Sequence, residues 1–164
     1  MSPDTINEIL GYVSAAAFTL LAFVSLRHWF DRRDRPNLWA ALCFGALALV
    51  VLASVVLPET PTNDFQSVLQ RLLVVVLLLF PYCLFRFAAV FHPPARSVEW
   101  IVAGATVLLM VWTLALPDFP QSDSPRSTVA DIYLIALLVD WTVLSVFVAV
   151  ALWRAGRGQP SVAR

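Results

Sequence analysis

Charge is scarce in this chain, and lysine is absent. Of the 164 residues, 13% are charged and 60% are hydrophobic. An ordinary soluble domain is about a quarter charged and about half apolar. The deficit excludes a fold that spreads polar side chains over a water-facing surface. All eleven basic residues are arginine, as a GC-rich coding sequence produces. The formal net charge of zero says little about partners, because the charges are sorted by position along the chain.

Cysteine is limited to Cys43 and Cys83, each inside an apolar run. They suit neither a disulfide framework nor a CxxC metal site; they read as small buried side chains at helix contacts. Catalytic signatures are missing too: there is no HExxH, no GxSxG, no GxGxxG leading out of a strand and no Walker loop. Gly156-Arg157-Gly158-Gln159-Pro160 is a cytoplasmic exit rather than a phosphate cradle. No polar segment exceeds about 15 residues, which leaves no room for a separate catalytic domain. The reading is therefore a non-enzyme with no cofactor, no metal site and no nucleic-acid partner.

What is present is a set of five long apolar runs separated by short polar blocks. They predict helices over about 6–27, 38–57, 68–91, 98–116 and 129–153, with 154–164 as a cytoplasmic tail. Each run has about 20 residues or slightly more, enough to cross a hydrocarbon core about 30 Å thick. A backbone in lipid must satisfy its own hydrogen bonds, so such runs should be helices. A membrane strand would need only about 10 residues with strict alternation, and no alternation is visible. The expected fold is an all-α integral membrane bundle of five transmembrane helices, with the lipid bilayer as its first partner.

Arginine placement sets the expected orientation. The ends of the first, third and fifth runs, with the loops after them, carry Arg27, Arg32, Arg33, Arg35, Arg96, Arg154, Arg157 and Arg164; the opposite loops carry Arg126. Basic excess marks the cytoplasmic side, which predicts the N-terminus outside and the C-terminus inside a cell membrane. The outer segments hold Asp4, Glu8, Glu59, Asp64, Asp118 and Asp123 instead. Trp29, Trp39, Trp100 and Trp153 all fall at the predicted inner interface, where amphipathic rings prefer to sit. The first run has no basic residues before it, so it reads as a retained helix rather than a cleaved signal peptide. Ser14 to Ala17 and Ala41-xxx-Gly45 are small-residue faces suited to close helix approach, and leave a homodimer open.

Charges inside a membrane are costly and usually face a bundle interior. Arg71, Arg86 and Asp140 are the candidates. Arg71, Val75, Leu78, Tyr82 and Arg86 share one stripe of the third run, and Tyr133, Leu137, Asp140 and Leu144 one stripe of the fifth. Counting from Val68 and Val129, Arg71 lies about 5 Å deep, Asp140 about 16 Å and Arg86 about 27 Å. Side chains lean toward a helix N-terminus, so Arg86 leans toward Asp140 and the expected pair is Arg86–Asp140. Glu99 is the alternative partner for Arg86. Pro81 leaves the Leu77 carbonyl without its helical donor and is the candidate hinge, beside Tyr82. The candidate intramembrane polar site is thus Arg86, Asp140, Tyr82 and Tyr133. His28 and His92, both at the inner boundary, have the donor chemistry for a metal or haem and read more simply as interface residues.

Three blocks, Arg27 to Pro58, Arg71 to Phe91 and Leu137 to Arg164, cover about half the chain. Their most distinctive pieces are Phe80-Pro81-Tyr82-Cys83-Leu84-Phe85-Arg86-Phe87 and Leu152-Trp153-Arg154-Ala155-Gly156-Arg157-Gly158-Gln159-Pro160. In these blocks the sequence resembles the N-terminal multi-helix membrane region of actinobacterial signalling proteins, such as sensor histidine kinases and diguanylate cyclases. The resemblance implies further membrane helices after the tail and then a cytoplasmic kinase, cyclase or phosphatase output domain or subunit. The sequence departs from that pattern by stopping at Arg164, as a truncated sensor, a gene fragment or a stand-alone membrane subunit would. Kinase or cyclase activity does not carry over, because no residues here match those active sites. The expected function is a membrane-embedded sensory or input module of bacterial signal transduction. The alternatives are a small membrane scaffold or partner subunit, and a transporter component using Asp140.

Overall fold

The computed structural model describes residues 3–57, 63–116 and 128–158. Five helices occupy them: α1 (Pro3–Arg32), α2 (Arg35–Val56), α3 (Asp64–Phe91), α4 (Arg96–Ala115) and α5 (Thr128–Gly158). All five are long and apolar enough to cross a membrane. Glu59, Asp118, Asp123, Arg126 and the tail from Gln159 to Arg164 lie outside the described residues, as do the side chains of Asp4 and Glu8.

The helices outrun the apolar stretches that announce them. α1 continues through the arginine-rich segment to Arg32, and α5 continues through Arg154 to Gly158, so the tail begins as helix. Hydropathy reports where lipid contact stops. The backbone ladder stops only where the chain leaves helical geometry. In α1 that happens at Arg33, whose φ is 53° and whose N–H donates to the Trp29 carbonyl at 2.7 Å. A left-handed residue just past a helix is usually Gly; with Arg there the turn costs about 1 kcal/mol.

Local chemistry explains the other boundaries. Asp34, in extended geometry, precedes α2, and Pro36 sits in its first turn, where a missing N–H costs nothing. Asn63 caps α3 by accepting from the Gln66 N–H at 2.9 Å, with Asp64 in the first turn favoured by the helix dipole. Pro93 and Pro94 then prevent α3 from continuing past His92. α3 itself stays helical through Pro81, which is buried.

The connections are short and the bundle runs up and down. Ring contacts Phe80–Trp141 (5.6 Å between centroids) and Phe85–Phe147 (5.1 Å) ascend together on α3 and α5, so those two helices are parallel. Trp112 of α4 instead meets Tyr133 near the start of α5 at 5.7 Å, so α4 runs antiparallel to both. Among the described residues α3 is the hub, touching α2, α4 and α5, whereas α1 touches α2 alone. The ends of α1, α3 and α5 therefore gather at one end of the bundle. There Arg27, Arg32, Arg33, Arg35, Arg96, Arg154 and Arg157 are all exposed, making this the basic end of the bundle.

A core cluster lies in the basic half, where Phe85, Ala88, Leu144, Val148 and Ala151 are buried together against Val98, Val102 and Phe147. The α2 interface is built from small side chains, with Ala41, Cys43, Ala46 and Ala48 buried. Cys43 and Cys83 are both buried free thiols. The Ala41-xxx-Gly45 expectation needs correcting at its second member. A Cβ added at Gly45 would meet nothing within 4 Å, so close approach runs through the alanines and not through glycine. In the first helix Ala15 is the buried small residue, while Ala16 and Ala17 are exposed.

The outward faces are apolar. Leu10, Phe23, Ile101, Leu108, Ile135 and Leu138 are each more than 60% exposed. Water would penalise so continuous an apolar surface; hydrocarbon would not.

Candidate functional site

Polar side chains on the candidate list fall at three separate levels of the bundle. The first is a cluster at the basic end. Arg86 lies near the end of α3 and Glu99 in the first turn of α4, and the short turn from His92 to Ala95 holds those two stretches side by side. Arg86 Nη1 stands 3.4 Å from Glu99 Oε2, and both side chains are about one-third exposed. The guanidinium also lies over the Trp39 ring of α2, 5.3 Å from its centroid. Tyr82, one turn earlier on α3, meets the same Trp39 edge-on, at 6.4 Å and 87°. A guanidinium on an aromatic face gains cation–π attraction, so Trp39 and Glu99 clamp Arg86 from two helices. A cleft of about 440 Å³ opens beside them, lined by Tyr82, Arg86, Arg96, Glu99, Trp100 and Ala103. Two arginines against one glutamate leave it cationic.

The expected Arg86–Asp140 pair does not form; Arg86 pairs with Glu99. The reason is vertical distance. The Phe80–Trp141 contact puts Asp140 level with about Leu79, and Arg86 lies about 10 Å nearer the basic end at 1.5 Å per residue. Leaning toward the helix N-terminus does not close that gap when an acid stands at the same level on the adjoining helix. Pro81 leaves the intervening helix intact.

Asp140 is the second level. Its side chain is half-buried and Oδ2 is buried with no hydrogen-bond partner. The neighbouring Trp141 leaves its indole Nε1 in the same condition. A buried carboxyl oxygen without such a partner is costly.

Tyr133 forms the third level, toward the opposite end, and is 1% exposed. Its hydroxyl lies 2.8 Å from Thr113 Oγ1, and Thr113 donates to the Leu109 carbonyl at 2.8 Å. A threonine hydroxyl has one proton to give, so Tyr133 is the donor to Thr113. The bond ties α5 to α4 and leaves Tyr133 remote from Arg86 and Tyr82. Among the candidates, Arg86 and Tyr82 are therefore brought together; Asp140 and Tyr133 are not.

The histidines are not brought together either. His28 Nδ1 donates to the Val24 carbonyl at 2.8 Å, His92 follows α3, and α1 does not touch α3. Among the described residues no three His, Cys, Asp or Glu side chains gather to hold a metal ion.

Trp39, Arg96 and Trp100 belong to the cluster but were legible in the sequence only as boundary residues. The usable signal was the four-residue turn, which forces residues at similar distances on either side of it to the same height. The chain matches no protein-family model, no curated protein and no solved structure.

Proposed function

We propose that the chain is the membrane-embedded input module of a bacterial signal-transduction protein, with five spans in the plasma membrane, the N-terminus outside and the basic end in the cytoplasm. One observation carries the signalling reading: α5 is a single unbroken helix from Thr128 to Gly158. At 1.5 Å per residue it is about 46 Å long, against a hydrocarbon core of about 30 Å. It packs along the hub helix α3, and the Phe85–Phe147 contact puts its last turn or so, about 7 Å at 1.5 Å per residue, past the end of α3 at Phe91. A shift or rotation of α5 within the bundle is therefore delivered, as rigid helix, to whatever kinase, cyclase or phosphatase unit engages that end. Coupling of this kind requires two helix arrangements that a stimulus stabilises unequally. Pro81, in the hub and one residue from Tyr82, is where the two arrangements diverge, since its missing backbone hydrogen bond lowers the cost of bending.

A chimera tests the reading. A diguanylate cyclase catalytic domain is joined after Gly158 through spacers of zero to seven helix-forming residues, and cyclic-di-GMP is measured in cells. Output should rise and fall with spacer length at the helical period, and Pro81→Ala should change its level. Output indifferent to both spacer phase and Pro81→Ala would overturn the assignment.

A further inference from the structure

We propose that the groove between α4 and α5 at the basic end binds one anionic glycerophospholipid, with an acyl chain along α5 and the phosphate at Arg154 and His92. The groove holds about 600 Å³ and is walled by Val143, Val146, Phe147 and Val150 of α5 and Val98 of α4, with His92 and Arg154 among its lining. Its surface is almost wholly apolar. The one hydroxyl group in it, on Thr142, already donates to the Leu138 carbonyl at 2.7 Å. A ligand for these walls is a hydrocarbon chain.

Length and charge decide between a lipid and a protein helix. The groove follows α5 from Thr142 to Arg154, about 18 Å at 1.5 Å per residue. That matches one leaflet, about half of a 30 Å hydrocarbon core. A partner helix would need a seam across both leaflets, and the groove stops midway along α5. At the basic end the apolar wall gives way to cationic and hydrogen-bonding groups. Arg154 is exposed and has no carboxylate within 4.0 Å among the described residues. His92 is exposed beside it on the α3–α4 turn. No acidic residue lines the groove, so nothing opposes an anionic headgroup. Ala95, which has no side-chain cap to offer the first turn of α4, lies at the same rim, and the helix dipole adds to the positive field there.

The site rests on the bundle lying in a bilayer and is independent of the signalling role. Purified protein in detergent is titrated with phosphatidylglycerol or phosphatidylcholine of the same acyl chains and read by native mass spectrometry. One phosphatidylglycerol should bind about fivefold more tightly than phosphatidylcholine, the gain expected from one arginine facing an anionic headgroup. Arg154→Gln, at an exposed position, should bring the two lipids level. Val146→Trp, which fills the groove from a lipid-facing position, should weaken both. Free glycerophosphate should displace neither. Equal affinity for the two lipids overturns the proposal, as does a preference that survives Arg154→Gln or a phosphatidylglycerol displaced by glycerophosphate. Circular dichroism and gel filtration check that each variant is folded, and Arg154→Gln carries the test if Val146→Trp is not. Alkaline carbonate extraction of native membranes reads insertion separately: protein retained in the pellet without lipid preference removes the lipid site alone.

Discussion

Replacing Phe85 by alanine should destabilise the bundle by about 2.4 kcal/mol. Phe85 is 0% exposed and packs on Ala88, Leu144, Val148 and Phe147 where α3 meets α5. In water, a buried Phe→Ala change costs about 3–5 kcal/mol through lost transfer energy plus a cavity. In lipid the transfer part largely vanishes, because an unpacked side chain still sits in hydrocarbon. The cavity part remains: roughly 100 Å³ at about 24 cal/mol per Å³ gives the figure above. Val146→Ala, at a position 57% exposed, should change stability by less than about 0.5 kcal/mol. Reversible unfolding in mixed micelles measures both. Equal effects at the two positions would mean that the α3–α5 core is not where the helices are held.

The second large effect concerns the clamp on Arg86. A fully buried ion pair broken on one side costs about 3–5 kcal/mol, and an exposed one at most about 1. With both side chains about one-third exposed, Arg86→Gln and Glu99→Gln should each cost about 1–2 kcal/mol. The double variant should cost about 1 kcal/mol less than their sum, because the second substitution removes a group already without its partner. Arg86→Gln combined with Asp140→Asn should instead be additive within about 0.5 kcal/mol. A larger coupling to Asp140 than to Glu99 would restore the mid-span pair and displace the cluster at the basic end.

The contrast between those two cycles marks where the sequence is informative. Existence and type of all five helices follow from apolar runs of membrane length, since lipid leaves the backbone no other way to satisfy itself. Their ends follow less well. His28 to Arg32 and Arg154 to Gly158 are too polar to register as span, yet the hydrogen-bond ladder continues through them. Depth counted along single helices pairs Arg86 with Asp140 because it treats the helices as independent rods. A hairpin is not two independent rods, and the turn between α3 and α4 fixes the relative heights of Arg86 and Glu99.

Tyr133 and Tyr82 show a further limit. Both lie on polar stripes of their helices, and both are engaged with an aromatic partner. They nevertheless stand about 15 Å apart in height at 1.5 Å per residue, because periodicity assigns a face and says nothing of height. The peripheral place of α1 is not announced by its composition, for its run is long and apolar enough to span a membrane like the others.

Labelling tests the proposed lipid-spanning layout most directly. In a background with Cys43→Ala and Cys83→Ala, single cysteines replace Asn63, Arg33 or Arg157, and intact cells receive a membrane-impermeant maleimide. Asn63→Cys should be modified from outside, whereas Arg33→Cys and Arg157→Cys should react only after permeabilisation. Modification of either of those two in intact cells, with the other protected, would place the ends of α1 and α5 on opposite sides and contradict the account.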